Sequence, residues 1–391
     1  MANRFPAVPQ GRVLVTDGEL KHTLGIARAL HARGHEVHVL ARSARAPSVH
    51  SRAVRAWHRA PQASDPAYDA LLLEIAASLA PASVIPVGNG GVAAADRLRR
   101  CWPQDVRVAL PPPESLALAN DKAGTGALAR AAGVRTPRER HVADLDAARA
   151  AFAELGAPLV LKSAREEGRK VLRYVRTEAG LERAFSDVSA RASGGVLAQE
   201  FVAGDGYGFS ALYWNGRRLR WFMHRRVREW PPSGGTSACA ESVPKAPELE
   251  QAGTTLLDSL AWHGVAMVEF KGTPGRGTLS LMEINAKFWG SHDLALASGV
   301  DFPGDLAALL EGGTLPPQRP YRAVRCSWPL GGDLWHGMFR PRALPAVLWD
   351  ALSPRVAHTW RRDDLAPTWW EFLQWARSTP GAWREFRSLK R

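Results

Sequence analysis

Short apolar strands alternate with helical segments along the first third of the chain, and this alternation constrains the fold more than any other feature. Val13–Thr16, Glu36–Ala41 and Ser83–Val87 have the apolar character of strands, and apolar residues at helical spacing lie between them. Strands that alternate with helices form a parallel sheet. We therefore predict an α/β (α+β) fold whose first domain is Rossmann-like and covers residues 1–113. It ends at Pro111–Pro113, a stiff break in the chain.

Two loops are predicted to follow strands of this sheet, Asp17–Glu19 after the first strand and Gly88–Gly91 after Ser83–Val87. Parallel sheets bind ligands at the carboxyl ends of their strands. No G-x-G-x-x-G sequence follows the first strand, so the fingerprint of dinucleotide binding is missing. Two interpretations of the glycines stay open: they let the backbone approach a ligand, or they permit tight turns.

The net charge of +13 raises the question of nucleic-acid binding, because clustered Lys and Arg neutralise phosphates. The basic residues are spread along the whole chain, however, and we find no nucleic-acid-binding signature. No specific nucleic-acid partner is predicted. Only eight of the 51 basic residues are lysines, so a lysine within a structured motif is informative.

Length and composition are those of a globular protein with two or three domains, since the chain has 391 residues of which 46% are apolar. No apolar run approaches the ~18 residues of a membrane-spanning helix. Met1–Gln10 lacks the pattern of a signal peptide. Cys101, Cys239 and Cys326 are too widely spaced to suggest a disulfide framework or a zinc site. A cytoplasmic location is the expectation.

After Pro111–Pro113, two of the predicted helices and strands contain a lysine. Glu114–Gly133 is predicted to be one helix that carries Lys122, and Leu159–Lys162 is a strand that ends in a lysine. A lysine on a buried strand needs an anionic partner, because an unpaired buried charge is costly. The alternative is a lysine on an edge strand that reaches solvent.

Two later strands carry carboxylates that are predicted to meet. Ala266–Phe270 and Leu279–Asn285 are separated by a Gly/Pro turn and form a hairpin in which Glu269 and Glu283 can face each other. Like charges directly opposite are destabilising. Two carboxylates with the Asn285 oxygen become favourable when a hard cation binds between them, and Mg²⁺ carrying nucleotide phosphates is the usual ion of this kind.

The order of these residues resembles the ATP-grasp superfamily, which includes D-alanine–D-alanine ligase, biotin carboxylase and the carbamoyl phosphate synthase large chain. The resemblance extends from about residue 12 to about residue 325, and its motifs are Lys122, Lys162, Gln199–Val202, Glu269 and Glu283–Lys287. Within the superfamily, the sequence is most similar to short carbamoyl-phosphate-synthase-like chains. The resemblance implies a two-lobed ATP-grasp domain over residues 114–325, with a lid subdomain at about residues 137–195 and ATP between the lobes.

The resemblance also implies roles for individual residues. Lys122 and Lys162 would contact the ATP phosphates. The adenine hinge would consist of Gln199, Glu200, Phe201 and Val202, and Asp205 is a weaker candidate for the ribose. Glu269, Glu283 and Asn285 would hold one or two Mg²⁺ (or Mn²⁺) ions. Lys287 stands where the family usually has an arginine, so it keeps the positive charge without the bidentate fork.

The predicted lid loop departs from the family pattern. After Lys162 the family usually has a glycine-rich loop over the phosphates, whereas Ser163–Lys170 contains one glycine and three basic residues. Either those basic residues supply charge in place of backbone amides, or the loop is solvated and takes no part in catalysis. Sequence alone leaves both interpretations open.

A basic stretch lies between the hinge and the metal strands. The resemblance places Arg225, Arg226 and Arg228, with Ser233–Thr236 after them, toward the acyl acceptor. An arginine there would stabilise the tetrahedral intermediate formed when an amine attacks an acyl phosphate. The alternative is a basic surface hairpin. His292 follows the metal strand and is expected to support that site, with an acid or base role as the alternative.

The last part of the chain, residues 326–391, is rich in tryptophan. Eight tryptophans fall in it, and basic residues are interleaved with them. We expect a helical extension whose aromatic residues pack against the body of the protein. The alternative is peripheral contact with a membrane surface or an anionic polymer.

The function implied is that of an ADP-forming carboxylate–amine ligase. ATP would phosphorylate a small-molecule carboxylate, and a small-molecule amine would displace the phosphate. A homodimer is a further expectation, because dimerisation is common among relatives. The alternative from another class is a nucleotide-binding module with a degenerate or regulatory ATP site that binds a polyanion or a membrane surface.

Overall fold

A computed structural model describes residues 11–165, 172–232 and 234–389 of the chain. These residues form three sheets of five, four and seven strands. No helix in the described ranges is long and apolar enough to cross a membrane.

The first sheet is entirely parallel, as the alternation of strands and helices predicted. Its elements are β1 (Arg12–Val15), α1 (Lys21–Ala32), β2 (Glu36–Ala41), β3 (Ala56–Arg59), α2 (Pro66–Ser78), β4 (Ala82–Ile85), α3 (Asn89–Arg97) and β5 (Val106–Val108). The strand order is β3-β2-β1-β4-β5. Val13, Leu14 and Val15 on the central strand are fully buried, because helices cover both faces of the sheet.

The helix predicted at Glu114–Gly133 is two helices, α4 (Pro113–Asn120) and α5 (Lys122–Ala131). The prediction of one continuous helix was wrong because Asp121 has extended backbone angles. Its side chain accepts a hydrogen bond from the Ala123 backbone N–H at 3.1 Å and so caps α5. Lys122 consequently stands at the first residue of a helix.

The four-stranded sheet is antiparallel, with the order β6-β9-β7-β8. Its elements are β6 (Glu139–Val142), α6 (Leu145–Leu155), β7 (Leu159–Arg165), β8 (Leu172–Val175), α7 (Leu181–Ser189) and β9 (Ser193–Glu200). The two helices pack on the sheet in one apolar cluster. β9 ends at Glu200, so Phe201 and Val202 of the predicted adenine hinge lie in the linker to the next sheet.

The seven-stranded sheet has the order β14-β13-β10-β11-β12-β15-β16, and every pair except the last is antiparallel. Its strands are β10 (Asp205–Trp214), β11 (Arg217–Trp230), β12 (Thr236–Ser242), β13 (Gly264–Gly272), β14 (Ser280–Asn285), β15 (Arg325–Ser327) and β16 (Val356–Ala357). The accompanying helices are α8 (Pro247–Ser259), α9 (His292–Ser298), α10 (Phe302–Leu310), α11 (Leu334–Phe339), α12 (Leu344–Leu352) and α13 (Ala366–Leu389).

Residues 326–389 are mainly helical, as expected, but they also complete the seven-stranded sheet. β15 pairs with β12, and β16 pairs with β15 in parallel. The boundary predicted between residues 325 and 326 thus falls inside a strand. The segment then reaches the connection between β2 and β3, where the Trp370 ring stacks on His50 with ring centroids 4.4 Å apart.

Candidate active site

Lys162 lies in a buried hydrogen-bonded chain of the four-stranded sheet. Its Nζ donates to Gln199 Oε1 at 3.0 Å, and Gln199 Nε2 donates to Glu139 Oε2 at 2.9 Å. Lys162 and Gln199 meet because β7 and β9 are neighbours. Sequence reasoning required an anionic partner for this lysine but did not identify Glu139, which supplies the nearby carboxylate on a third strand.

The linker after β9 presents an aromatic ring between two sheets. The Phe201 side chain is 37% exposed, the Tyr174 ring meets it edge-on, and Lys271 Nζ lies 4.5 Å from its centroid. Val202 beside it is half-buried. Sequence reasoning missed Tyr174 and Lys271. A signal for Lys271 existed, since it is one of eight lysines and lies two residues after Glu269 on the same strand.

Glu200 is held by a neighbouring arginine. Arg138 Nε donates to Glu200 Oε2 at 2.7 Å. Burial acts to raise the pKa of Glu200, but the hydrogen bonds from Arg138 outweigh it and lower the pKa. Glu200 is therefore a carboxylate at neutral pH.

The predicted hairpin of carboxylates is present in β13 and β14. Glu269 is directly opposite Glu283 in the register of the two strands, and Asn285 Nδ2 donates to Glu283 Oε1 at 3.1 Å. Glu269 is buried and Glu283 is half-buried. The strand alternation that places two glutamates face to face is thus confirmed.

Arg226 reaches this hairpin from β11. Its Nη2 lies 2.6 Å from Glu269 Oε1, and its Nη1 lies 3.2 Å from Glu229 Oε1. Burial opposes the charge of Arg226, but Glu269 and Glu229 raise its pKa above the ordinary value. Arg226 therefore stays charged beside the carboxylate.

The side chain of Arg226 must cross β10 to contact Glu269, because β10 lies between β11 and β13. Two glycines on β10 leave room for it. A Cβ atom on Gly206 would lie 3.0 Å from Arg226 Cδ. Gly208 lies opposite Glu269 on one side and His224 on the other, and a Cβ atom there would lie 2.2 Å from the His224 ring. The side chain of Arg226 thus passes over a strand that has no side chains at these positions.

The other two predicted arginines have different surroundings. Arg225 Nη1 donates to Asp205 Oδ2 at 2.8 Å, and its Nε and Nη2 donate to Glu241 Oε1. Arg228 is buried and makes two hydrogen bonds to Asp333, at 2.6 and 2.7 Å, and one to Asp350 at 2.7 Å. These contacts favour a structural role for Arg228. The structure does not bring Arg225 to the glutamate hairpin.

Lys287 connects the glutamate hairpin to the first sheet. Its Nζ donates to Asn89 Oδ1 at 2.5 Å, at the start of α3. Asp17 Oδ2 accepts from the Gly88 N–H at 2.8 Å in the same loop. A Cβ atom on Gly91 would lie 2.1 Å from Thr16 Oγ1, so close packing already accounts for this glycine.

The remaining predictions concern His292, the lid loop and the segment Ser233–Thr236. Burial lowers the pKa of His292 to about 3, and neither of its ring nitrogens has a partner among the described residues, so it is a neutral packed side chain. In the lid loop, Ser163–Arg165 continue β7, while residues 166–170 lie outside the described residues. Ser233 also lies outside them, and Gly235 follows with a Cβ position 2.1 Å from the Trp230 carbonyl.

The donors at the hairpin fit a hard divalent cation. Two carboxylates and an amide oxygen are oxygen ligands of the kind that Mg²⁺ prefers. No group of three or more His, Cys, Asp and Glu side chains in the described ranges is arranged to hold a metal ion. Two glutamates with Asn285 offer three ligand groups, so an ion bound here would take its remaining ligands from other molecules.

Comparison with known proteins gives matches of fold and of a short sequence segment. The chain is similar to the N5-carboxyaminoimidazole synthetase of Staphylococcus aureus, with a TM-score of 0.66, 14% identity and coverage of 83% of this chain and 84% of that one. It is also similar to the biotin carboxylase domain of the Hydrogenobacter thermophilus 2-oxoglutarate carboxylase, with a TM-score of 0.63, 16% identity and coverage of 80% and 72%. The chain has the ATP-grasp fold.

In sequence, the chain is 38% identical over 90 residues to the D-alanine–D-alanine ligase of Desulforudis audaxviator (strain MP104C). This match covers 22% of the chain and only 29% of that ligase. No family profile matches the sequence. The resemblance to the ATP-grasp superfamily is confirmed, and the closer similarity to short carbamoyl-phosphate-synthase-like chains stays a prediction.

Proposed function

We propose that the protein is an ADP-forming carboxylate–amine ligase that uses Mg·ATP. The observation that carries this proposal is the pair Glu269 and Glu283, opposite each other with Asn285 bonded to Glu283, within an ATP-grasp fold. The D. audaxviator relative is a D-alanine–D-alanine ligase, and the S. aureus synthetase was crystallised with ADP. The H. thermophilus domain was crystallised with ADP, its magnesium salt and bicarbonate.

ATP would bind between the four-stranded and seven-stranded sheets. Lys162, fixed by Gln199, would contact a phosphate, and Lys122 at the start of α5 would contribute a second charge. The linker of Phe201 and Val202 would contact the adenine, with Glu200 and Asp205 as the neighbouring polar groups. Fixed positive charges of this kind stabilise a transferring phosphoryl group without reorganisation during the reaction.

Glu269, Glu283 and Asn285 would hold Mg²⁺ or Mn²⁺, which supplies charge neutralisation for the phosphates. The carboxylate substrate would attack the terminal phosphate of ATP to form an acyl phosphate and ADP. Arg226, which contacts Glu269, and Lys287, two residues after Asn285, would stabilise the negative charge of the acyl phosphate and of the tetrahedral intermediate. An amine would then displace phosphate. Arg225 lies outside this group, and Arg228 would position β11.

The remaining expectations belong to the same proposal. The substrates would be a small-molecule carboxylate and a small-molecule amine. A homodimer and a cytoplasmic location stay predictions, as do the domain boundaries at residues 1–113, 114–325 and 326–391.

The test is the release of ADP and phosphate from Mg·ATP in the presence of mixed amino acids and other small carboxylates. Glu283→Gln should abolish substrate-dependent release, because the hairpin then loses a charged ligand. Glu154→Gln on the exposed side of α6 is the matched control and should leave the rate unchanged. AMP release in place of ADP would contradict the acyl-phosphate mechanism.

A nucleotide-binding module without ligase activity is the second candidate. Lys287 in place of an arginine favours it, because a single ammonium holds an acyl phosphate less firmly than a guanidinium fork. ATP binding without turnover on any substrate pool, unchanged by Glu283→Gln, would support this candidate over the ligase.

A further inference from the structure

The helices of the C-terminal segment expose large apolar side chains to solvent. We name the apolar residues given below, with the exposed arginines near them in sequence, the arginine–aromatic face. On α12, Leu348, Trp349 and Leu352 are 46, 73 and 83% exposed. Leu365, just before α13, and Trp369 and Phe372 in its first turns are 60, 59 and 41% exposed, at the spacing of one helical face. Exposed apolar side chains that cluster in this way mark interaction sites in soluble proteins.

The opposite faces of the same helices are anchored to the body. Val347 and Asp350 of α12 are buried, and Asp350 accepts a hydrogen bond from Arg228. On α13, Trp370 stacks on His50, and the Trp375 ring lies 5.2 Å from that of Trp335. The packing therefore fixes the helices in an orientation that leaves the apolar side chains outward.

Positive charge accompanies the exposed apolar side chains. Six arginines between residues 340 and 377 are exposed, namely Arg340, Arg342, Arg355, Arg361, Arg362 and Arg377. The acidic residues of this stretch do not offset them. Asp350 and Asp364 are buried in salt bridges, Asp363 is paired with Arg52, and Glu371 is half-buried.

We propose that the arginine–aromatic face binds the surface of an anionic lipid bilayer. Tryptophan and leucine insert among the headgroups and upper acyl chains, while arginines contact lipid phosphates. A second copy of the chain fits the face poorly, because its arginines would meet the same arginines. A single-stranded nucleic acid would stack on the rings but leave Leu348, Leu352 and Leu365 in water.

The experiment uses the full chain with sedimenting vesicles of phosphatidylcholine alone and of phosphatidylcholine mixed with phosphatidylglycerol, at low and high salt. We expect binding to the anionic vesicles only, weakened by salt and accompanied by a blue shift of tryptophan fluorescence. The apolar variant, Leu352→Ser with Trp369→Ser, and the charge variant, Arg361→Glu with Arg362→Glu, should each bind at least about tenfold more weakly.

Arg100→Glu with Arg183→Glu is the matched control, since it changes the net charge equally at exposed positions far from the face in sequence. This control should bind as the unaltered chain does. Equal loss in the control would overturn the proposal in favour of non-specific charge attraction. Absence of vesicle binding by the folded chain, checked by circular dichroism, would also overturn it.

Two other outcomes would assign the face to a different occupant and so contradict the proposal. Self-association without lipid, abolished by Leu352→Ser with Trp369→Ser, would assign it to a second copy. Binding of a single-stranded oligonucleotide that competes with the vesicles and is lost in the same variant would assign it to nucleic acid. None of these readouts depends on ATP turnover, so the proposal stands or fails separately from the ligase activity.

Discussion

At the residue scale, the sequence predicts that Glu269 faces Glu283, but it does not predict that Arg226 contacts Glu269. Strand side chains alternate with a period of two, so a short turn between two strands is enough to place Glu269 opposite Glu283. The contact from Arg226 requires the strand order β13-β10-β11 and the small residues Gly206 and Gly208 in between. No local pattern in the sequence contains that order.

Gly208 gives a stability prediction. Gly208→Ala should lower the free energy of unfolding by about 1–3 kcal/mol, because the new methyl group would overlap the buried His224 ring. Gly180→Ala is the control, since the nearest atom to its Cβ position is 3.9 Å away, and it should change stability by less than about 0.5 kcal/mol. Urea unfolding of both variants measures the difference. Equal stability of the two would show that the strand moves to accept the methyl group.

Glu371 gives a pH prediction. Burial, with a contribution from Asp293, raises the pKa of Glu371 to about 7, although Arg28 and Lys21 oppose this. The folded protein then holds a proton on Glu371 between pH 4.5 and 7 that the unfolded chain releases, so this group lowers stability as the pH rises through that window.

Glu371→Gln should therefore raise the free energy of unfolding at pH 8 by about 1–3 kcal/mol and change it little at pH 4.5. Chemical denaturation at the two pH values is the measurement. Glu182→Gln, at an exposed position on α7, is the control. A gain of the same size at both pH values would mean that titration of Glu371 is not its cause.

At the element scale, the ends of a helix depend on local signals that a sequence can contain. α6 has a clear signal at each end: Asp144 caps it by accepting from the Ala147 N–H at 2.7 Å, and Gly156 ends it with a positive φ. The prediction of one helix across Asp121 failed because apolar residues continue at helical spacing on both sides of this residue, which serves as an N-cap. Periodicity alone does not distinguish one helix from two that follow each other directly.

Two adjacent aspartates before α13 allow a matched test of burial. Asp364 is buried and bonded to Arg28, Ser51 and the Arg52 backbone, whereas Asp363 forms an exposed pair with Arg52. Asp364→Asn should cost about 3–5 kcal/mol, because the buried Arg28 loses its carboxylate. Asp363→Asn should cost less than about 1 kcal/mol. Thermal and urea unfolding measure the stability of the two variants. Similar losses of stability would contradict the expectation that the buried Asp364 contributes more than the exposed Asp363.

At the scale of the whole molecule, the sequence predicted the parallel sheet and the ATP-grasp arrangement but not how the C-terminal segment joins them. β15 and β16 have three and two residues, too few to show a pattern. Arg28 and Asp364 are 336 positions apart, and no spacing rule covers such a distance. The expectation of packed tryptophans is correct for Trp328 and Trp335, while Trp349 and Trp369 are exposed.

A shortened chain tests the importance of this segment. A chain that ends at residue 323 loses the strand on the β12 edge and the partners of Arg28 and Arg228. We expect it to lose cooperative unfolding and to aggregate, because two uncompensated buried charges at about 3–5 kcal/mol each approach the whole stability of a typical domain. A chain that ends at residue 378 keeps these contacts and should unfold cooperatively. Circular dichroism and sedimentation distinguish the two.

The pairing of Arg28 with Asp364 also bears on the order of events during synthesis. The strands around α1 leave the ribosome early, and protein domains generally fold as they emerge. Arg28 is then a cation in a site built for an ion pair, and its carboxylate arrives 336 residues later. The first domain should therefore remain loosely packed on the ribosome and gain its full rigidity only when residues 359–364 dock against it.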